Sequence, residues 1–213
     1  MKKNEFLTSC DVLTSFHFPR LSELPEFELY MDQVIALAEK YLSSLMPDHK
    51  NSLTPSMINN YVKSGVLPPP KNKKYNRSHL AMLLIICTAK SVLEISVISD
   101  VLAKSIVANQ LEPVFDGFAE MYENAIGAAA KKARLAAVAS ESDHILSFIA
   151  IENALQSSAA RTVAMYAYQA TVEPSETPEP KEKAEKKAEK KIEKAERKAE
   201  KKAKQPNEPT EPA

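Results

Sequence analysis

The residues best suited to chemistry lie in or directly before one stretch, Met57 to Leu80, "MINNYVKSGVLPPPKNKKYNRSHL". Ser56, Asn59 and Asn60 offer short hydrogen-bonding side chains on a short helix. Lys63, Lys71, Lys73, Lys74 and Arg77 follow as cations. Between Lys50 and Lys90 there are seven Lys or Arg and no Asp or Glu, within a chain of zero formal net charge. A local positive block on a neutral protein is the footprint of a phosphate-binding face. Asn, Ser and Arg near the start of a helix can read base edges, while neighbouring lysines grip phosphate. A solvated basic loop has the same charge, so the pattern of elements must carry the distinction.

Other chemistries find no support in the spacing. His17, His49, His79 and His144 are scattered, and none has a helical His partner, so no metal site is expected. Gly65, Gly117 and Gly127 stand alone, which excludes a glycine-rich phosphate loop. Cys87 or Ser56 as a nucleophile lacks an oriented base. Neither enzymatic activity nor a cofactor is expected. Asp32 reads as a structural anchor at a helix start, and Tyr61 and Tyr75 as packing residues with a wet hydroxyl.

These residues need elements to hold them. Gly is rare, Trp is absent, and Ala, Leu, Ile and Ser are abundant, which favours helix. Apolar spacing predicts a helix over 28–46, ended by Pro47. Thr54 can cap a helix over 55–64, with Pro55 at its first position and Gly65 at the left-handed position beyond its end. "VLPPPKNKKYN" cannot be helical and reads as an extended loop or a small β-hairpin. A buried helix starting at Asn76 or Ser78 follows, then one over about 94–109 and two long helices reaching Val172. From Glu173 the tail holds little but Pro, Glu, Lys, Arg and Ala and reads as a solvated, partly helical spacer. Two isolated cysteines give no disulfide framework and fit a reducing cytoplasm. Leu7 to Cys10 looks like a lipoprotein box, but the apolar run an export signal needs is missing. No stretch is long enough for a membrane helix.

"LTPSMINNYVKSGVLPP…KKYNRSHLAMLLII" resembles the winged-helix domain of mercury-resistance-type (MerR) regulators over about 53–102. Leu53, Thr54, Ile58, Tyr61, Gly65, Val66 and Leu67 fall on that family's recognition-helix pattern, and Tyr75 and Leu80 on the tyrosine and leucine after the wing. The chain departs from the pattern where Asn59-Asn60 replaces an Arg-Tyr pair and Val62 replaces a Glu. The combination of "LYMDQVI" and "INNYVKSG" further resembles the bacterial DUF1836 family, a domain of unknown function, over about 16–115.

The fold expected is all-α with a small β-wing: an N-terminal segment (1–15), a MerR-like winged helix-turn-helix domain (16–112), a helical extension (113–172) suited to dimerisation, and a charged tail (173–213). The function expected is a cytoplasmic regulator of transcription that binds double-stranded DNA as a homodimer. Ser56, Asn59 and Asn60 would face the groove, and Lys63, Lys71, Lys73, Lys74 and Arg77 the phosphates. A module that binds a protein partner on the same scaffold is the alternative, and a ligand pocket between the helices of 115–170 is a third option.

Overall fold

A computed structural model describes residues 3–45 and 53–172. Contacts gather residues up to Tyr168 into one unit, and 169–213 into a second, of which residues 169–172 are described. The expected helix end at Met46 and Pro47, the cation Lys50 and the charged tail lie outside the described residues.

Seven α-helices occur among the described residues: α1 (Lys3–Thr14), α2 (Met31–Leu42), α3 (Pro55–Lys63), α4 (Arg77–Ala89), α5 (Ile95–Asn109), α6 (Leu111–Ala139) and α7 (Ile145–Thr171). The class is all-α. α4 is the central element: Leu80, Ala81, Leu83, Leu84, Ile85, Ile86 and Cys87 are all buried, so it is apolar on every side and covered on every side. α2, α3, α5 and the start of α6 pack around it. Phe115 and Ala119 of α6 share this core, which therefore continues past residue 112.

The lead-in to α2 is pinned by a mixed apolar and polar clasp. Phe18 is fully buried and meets Phe115, Phe118 and Tyr122 edge-on, with ring centroids 5.6–6.0 Å apart. Its amide donates to Glu123 Oε1 at 2.7 Å, and Arg20 Nη2 donates to Glu123 Oε2 at 2.7 Å. Leu21 N donates to Asp116 Oδ1 at 2.7 Å. The Arg20 guanidinium holds the Glu123 carboxyl below the usual range, so the clasp is charged near neutrality.

Local signals account for the ends of α3. Met57 N donates to Thr54 Oγ1 at 3.2 Å, and Pro55 occupies the first turn. At the other end Gly65 has φ +76°, with Gly65 N bonded to Val62 O and Val66 N to Tyr61 O, which is a Schellman stop. Asn76 starts α4: its Oδ1 accepts from His79 N at 3.2 Å.

Two expectations are corrected, and one segment left without a structure gains one. There is no strand among the described residues, hence no β-wing. Pro68, Pro69 and Pro70 have no N–H to give to a ladder, so pairing is confined to the isolated bridges Lys71–Lys74 and Leu29–Tyr75. The first long helix does not start at residue 28. Leu29 exchanges backbone hydrogen bonds with Tyr75, both 2.8 Å, and Tyr30 N is taken by Gln33 Oε1, so α2 begins at Met31. The N-terminal segment is itself helical: Phe6, Cys10 and Leu13 recur at helical spacing and face Ile126 and Ala130 of α6, while Arg134 Nε reaches Asp11 at 2.7 Å.

Gly65 has open space where a Cβ would go, so its replacement costs conformation and no clash. Gly65→Ala is expected to lower unfolding free energy by about 1–2 kcal/mol in urea titrations. An unchanged stability would mean that the stop of α3 does not depend on the left-handed residue.

Candidate functional site

On α3 the side chains divide cleanly. Ile58 and Tyr61 are buried, with Met57 and Val62 partly covered beside them. Ser56, Asn59, Asn60 and Lys63 are all exposed and fall at spacings of three and four, so they form one stripe opposite the core. No acidic side chain lies on that helix. Burial raises the Tyr61 and Tyr75 hydroxyls above their ordinary pKa, in keeping with packing roles.

The lysine-rich segment is shaped by a two-residue turn. Lys74 N donates to Lys71 O at 2.9 Å, and the central residues Asn72 and Lys73 both have positive φ, +52° and +62°. Two successive positive φ angles mark a type I′ turn, the form that suits antiparallel segments. Asn tolerates this conformation well, and Lys73 adopts it at some cost. The turn lifts Lys71 and Lys73 into solvent. Tyr75, next along, is buried against His79, edge-on at 5.5 Å, and its backbone is held by Leu29.

The eight polar and basic residues singled out in the sequence separate into three groups. Ser56, Asn59, Asn60 and Lys63 share the α3 stripe, and Lys71 and Lys73 crown the turn. No ion pair engages Lys63, Lys71 or Lys73 among the described residues. Lys74 and Arg77 differ. Lys74 Nζ lies 3.5 Å from Glu28 Oε2 and 5.8 Å from the centre of the Tyr30 ring, and Arg77 Nη2 lies 3.1 Å from Glu26 Oε1. The acid-free span therefore acquires two carboxylates from the lead-in. Sequence order hides this, because the Leu29–Tyr75 pairing that delivers Glu26 and Glu28 joins positions 46 residues apart.

His79 lies beside these residues. It is buried at the foot of the turn, and its Nε2 has no hydrogen-bond partner among the described residues, though it faces the carbonyls of Pro68 and Pro69. Burial depresses its pKa, and those carbonyls oppose the shift without cancelling it. An apolar cavity of about 580 Å³ lies between α1, α6 and α7, lined by Phe6, Cys10, Leu13, Ile126 and Ile149 among others. Among the described residues no three His, Cys, Asp or Glu side chains converge as a metal would require, and no helix is long and apolar enough to cross a membrane.

The profile of a family described as a domain of unknown function, DUF1836, matches residues 19–125. That span runs from the lead-in through α2–α5 into α6 and contains both the α3 stripe and the turn. No curated protein and no solved structure matches the chain.

A histidine whose pKa falls on folding binds its proton more tightly in the unfolded chain. Its contribution is complete above the unfolded value of 6.5 and is lost as pH drops below it. Urea titrations at pH 7.5, 6.5 and 5.5 should show wild-type stability declining at the acid end, by at most about 1.4 kcal/mol per pH unit from this group. His79→Gln keeps a side chain suited to the third helical position and cannot titrate, so its decline should be shallower. Parallel curves would remove His79 as the source.

Proposed function

The chain belongs to the DUF1836 family, and we propose that it is a DNA-binding regulator that uses α3 in the manner of a MerR-like recognition helix, with the following basic turn, which forms no wing, gripping phosphate beside it. The observation that carries this reading is the α3 stripe: Ser56, Asn59, Asn60 and Lys63 are exposed together, with no acid among them and two unpaired lysines on the adjacent turn. Asn can bond adenine through both the oxygen and the nitrogen of its side-chain amide in the major groove, and Ser can bond to any base. α3 is about 13 Å long, enough to place one turn of polar side chains against a few base pairs. Lys63, Lys71 and Lys73 supply phosphate contacts. Lys74 and Arg77, held by Glu28 and Glu26, are reserve cations that phosphate must win from carboxylate. One short helix reads few bases, so two copies on one duplex provide the specificity. On this reading the protein works in the cytoplasm, with the chromosome.

A second reading follows from the same two glutamates. Glu26 and Glu28 repel an approaching phosphate, and a protein partner that offers both charges would fit the face without displacing them. Salt dependence separates the two. With three free cations per protomer and two protomers, the logarithm of the DNA association constant should fall with the logarithm of salt with a slope of about −5. Glu26→Gln with Glu28→Gln frees two more cations per protomer, and should tighten binding and steepen the slope to about −9. Lys71→Glu with Lys73→Glu should weaken binding on all sequences, whereas Asn59→Ala should cost about 1–3 kcal/mol on the preferred sequence and little elsewhere. No retention of any duplex, with a stable protein complex in its place, selects the second reading.

A further inference from the structure

α7 has a side that meets the rest of the chain and a side that meets water. On the inner side Ile149 is buried, Arg161 Nε donates to Val92 O at 2.8 Å, and Tyr168 is hydrogen-bonded to Asp100. On the outer side Phe148, Ile151, Leu155, Val163 and Tyr166 are 66%, 59%, 66%, 68% and 72% exposed. Their spacing places all five on one stripe of the helix, with Ala159 between Leu155 and Val163. The stripe is about 27 Å long. It is an apolar surface of the size that single folded chains rarely leave in water.

The order of residues along the stripe is that of a two-fold axis. Reflected about position 157, Phe148 falls on Tyr166, Ile151 on Val163 and Leu155 on Ala159. Two antiparallel copies of α7 related by that axis therefore bring ring level with ring, branched side chain level with branched side chain, and the large Leu155 level with the small Ala159. Ala159 lies on the stripe beside the axis, and its small side chain keeps the crossing point narrow enough for close approach. Glu152 falls within the stripe, between Phe148 and Leu155, but is drawn aside by Lys132 at 2.7 Å, and the rotation places it level with Thr162, so no like charges meet. A self-complementary patch is what a two-fold interface requires. Phe and Tyr rings carry about 150–250 Å² each, so two rings and three aliphatic side chains supply a large part of the roughly 800 Å² per partner that a stable interface buries.

We propose that the outer face of α7 is a homodimer interface in which a second copy of the chain packs antiparallel through Phe148, Ile151, Leu155, Val163 and Tyr166. This deepens the two-copy reading above and takes its functional meaning from it, yet it can be tested without DNA. Light scattering on the eluted full-length chain should give twice the 23.6 kDa mass of one copy. Ile151→Glu with Leu155→Glu changes exposed positions, so it should yield the monomer with an unchanged circular dichroism spectrum. Leu155→Cys and Ala159→Cys chains, oxidised after mixing, should cross-link with each other and not with themselves. Cys10 and Cys87 are buried, so the wild-type chain treated alike is the blank. A monomeric wild type, a double-Glu variant that stays dimeric, or single-cysteine chains that cross-link to themselves would each overturn the proposal. A dimer that retains no DNA would leave this interface standing and remove the DNA reading.

Discussion

The backbone pair between Leu29 and Tyr75 is the constraint on which the candidate face depends. Each residue gives its N–H to the other's carbonyl at 2.8 Å, and both side chains are buried. The pair fixes the foot of the Lys71–Lys74 turn against the segment leading into α2. It stops α2 from starting earlier and carries Glu26 and Glu28 to Arg77 and Lys74. The clasp of Glu123 and Asp116 on the backbone of Phe18 and Leu21 holds the same segment from α6. The shape of the basic turn is thus set largely by chain more than forty residues earlier and α6, forty residues later.

Electrostatics at the face follow from this connection. Lysines that read as one block in the sequence are of two kinds in space. Lys63, Lys71 and Lys73 stand in solvent, whereas Lys74 and Arg77 have carboxylate neighbours. Exposed pairs of this kind are worth at most about 1 kcal/mol, so they do not hold the fold together. They tune how much free positive charge the face offers. The face is then a graded one, strongest at the turn tip and along α3, weaker toward the lead-in.

What could be read from the sequence was local, and what could not was long-range. Thr54, Pro55, Gly65 and Asn76 marked the ends of α3 and the start of α4 because caps, first-turn prolines and left-handed glycines act over three or four residues. The unbroken apolar run of Leu80 to Cys87 announced a helix buried all round. The stripe of Ser56, Asn59, Asn60 and Lys63 could be read from spacing. The start of α2 could not, since helical periodicity in Leu29 lost to a pairing with Tyr75. The β-wing failed for a reason present in the sequence: three prolines deny a ladder its donors, leaving a single closed turn. α1 carries its apolar face on three residues, too few to stand out until α6 is there to receive them. Glu26 and Glu28 belonged to another element altogether until the fold brought them over.

The molecule ends up with two exposed surfaces of opposite character, a polar and basic one on α3 and its turn, and an apolar one on α7. The first of these is the surface proposed to read DNA. Its most direct test is selection of bound duplexes from a random-sequence pool by the full-length chain at two salt concentrations. An enriched motif is expected, arranged as an inverted repeat, that survives at the higher salt with weaker retention. A pool that emerges unenriched at both concentrations would contradict that reading.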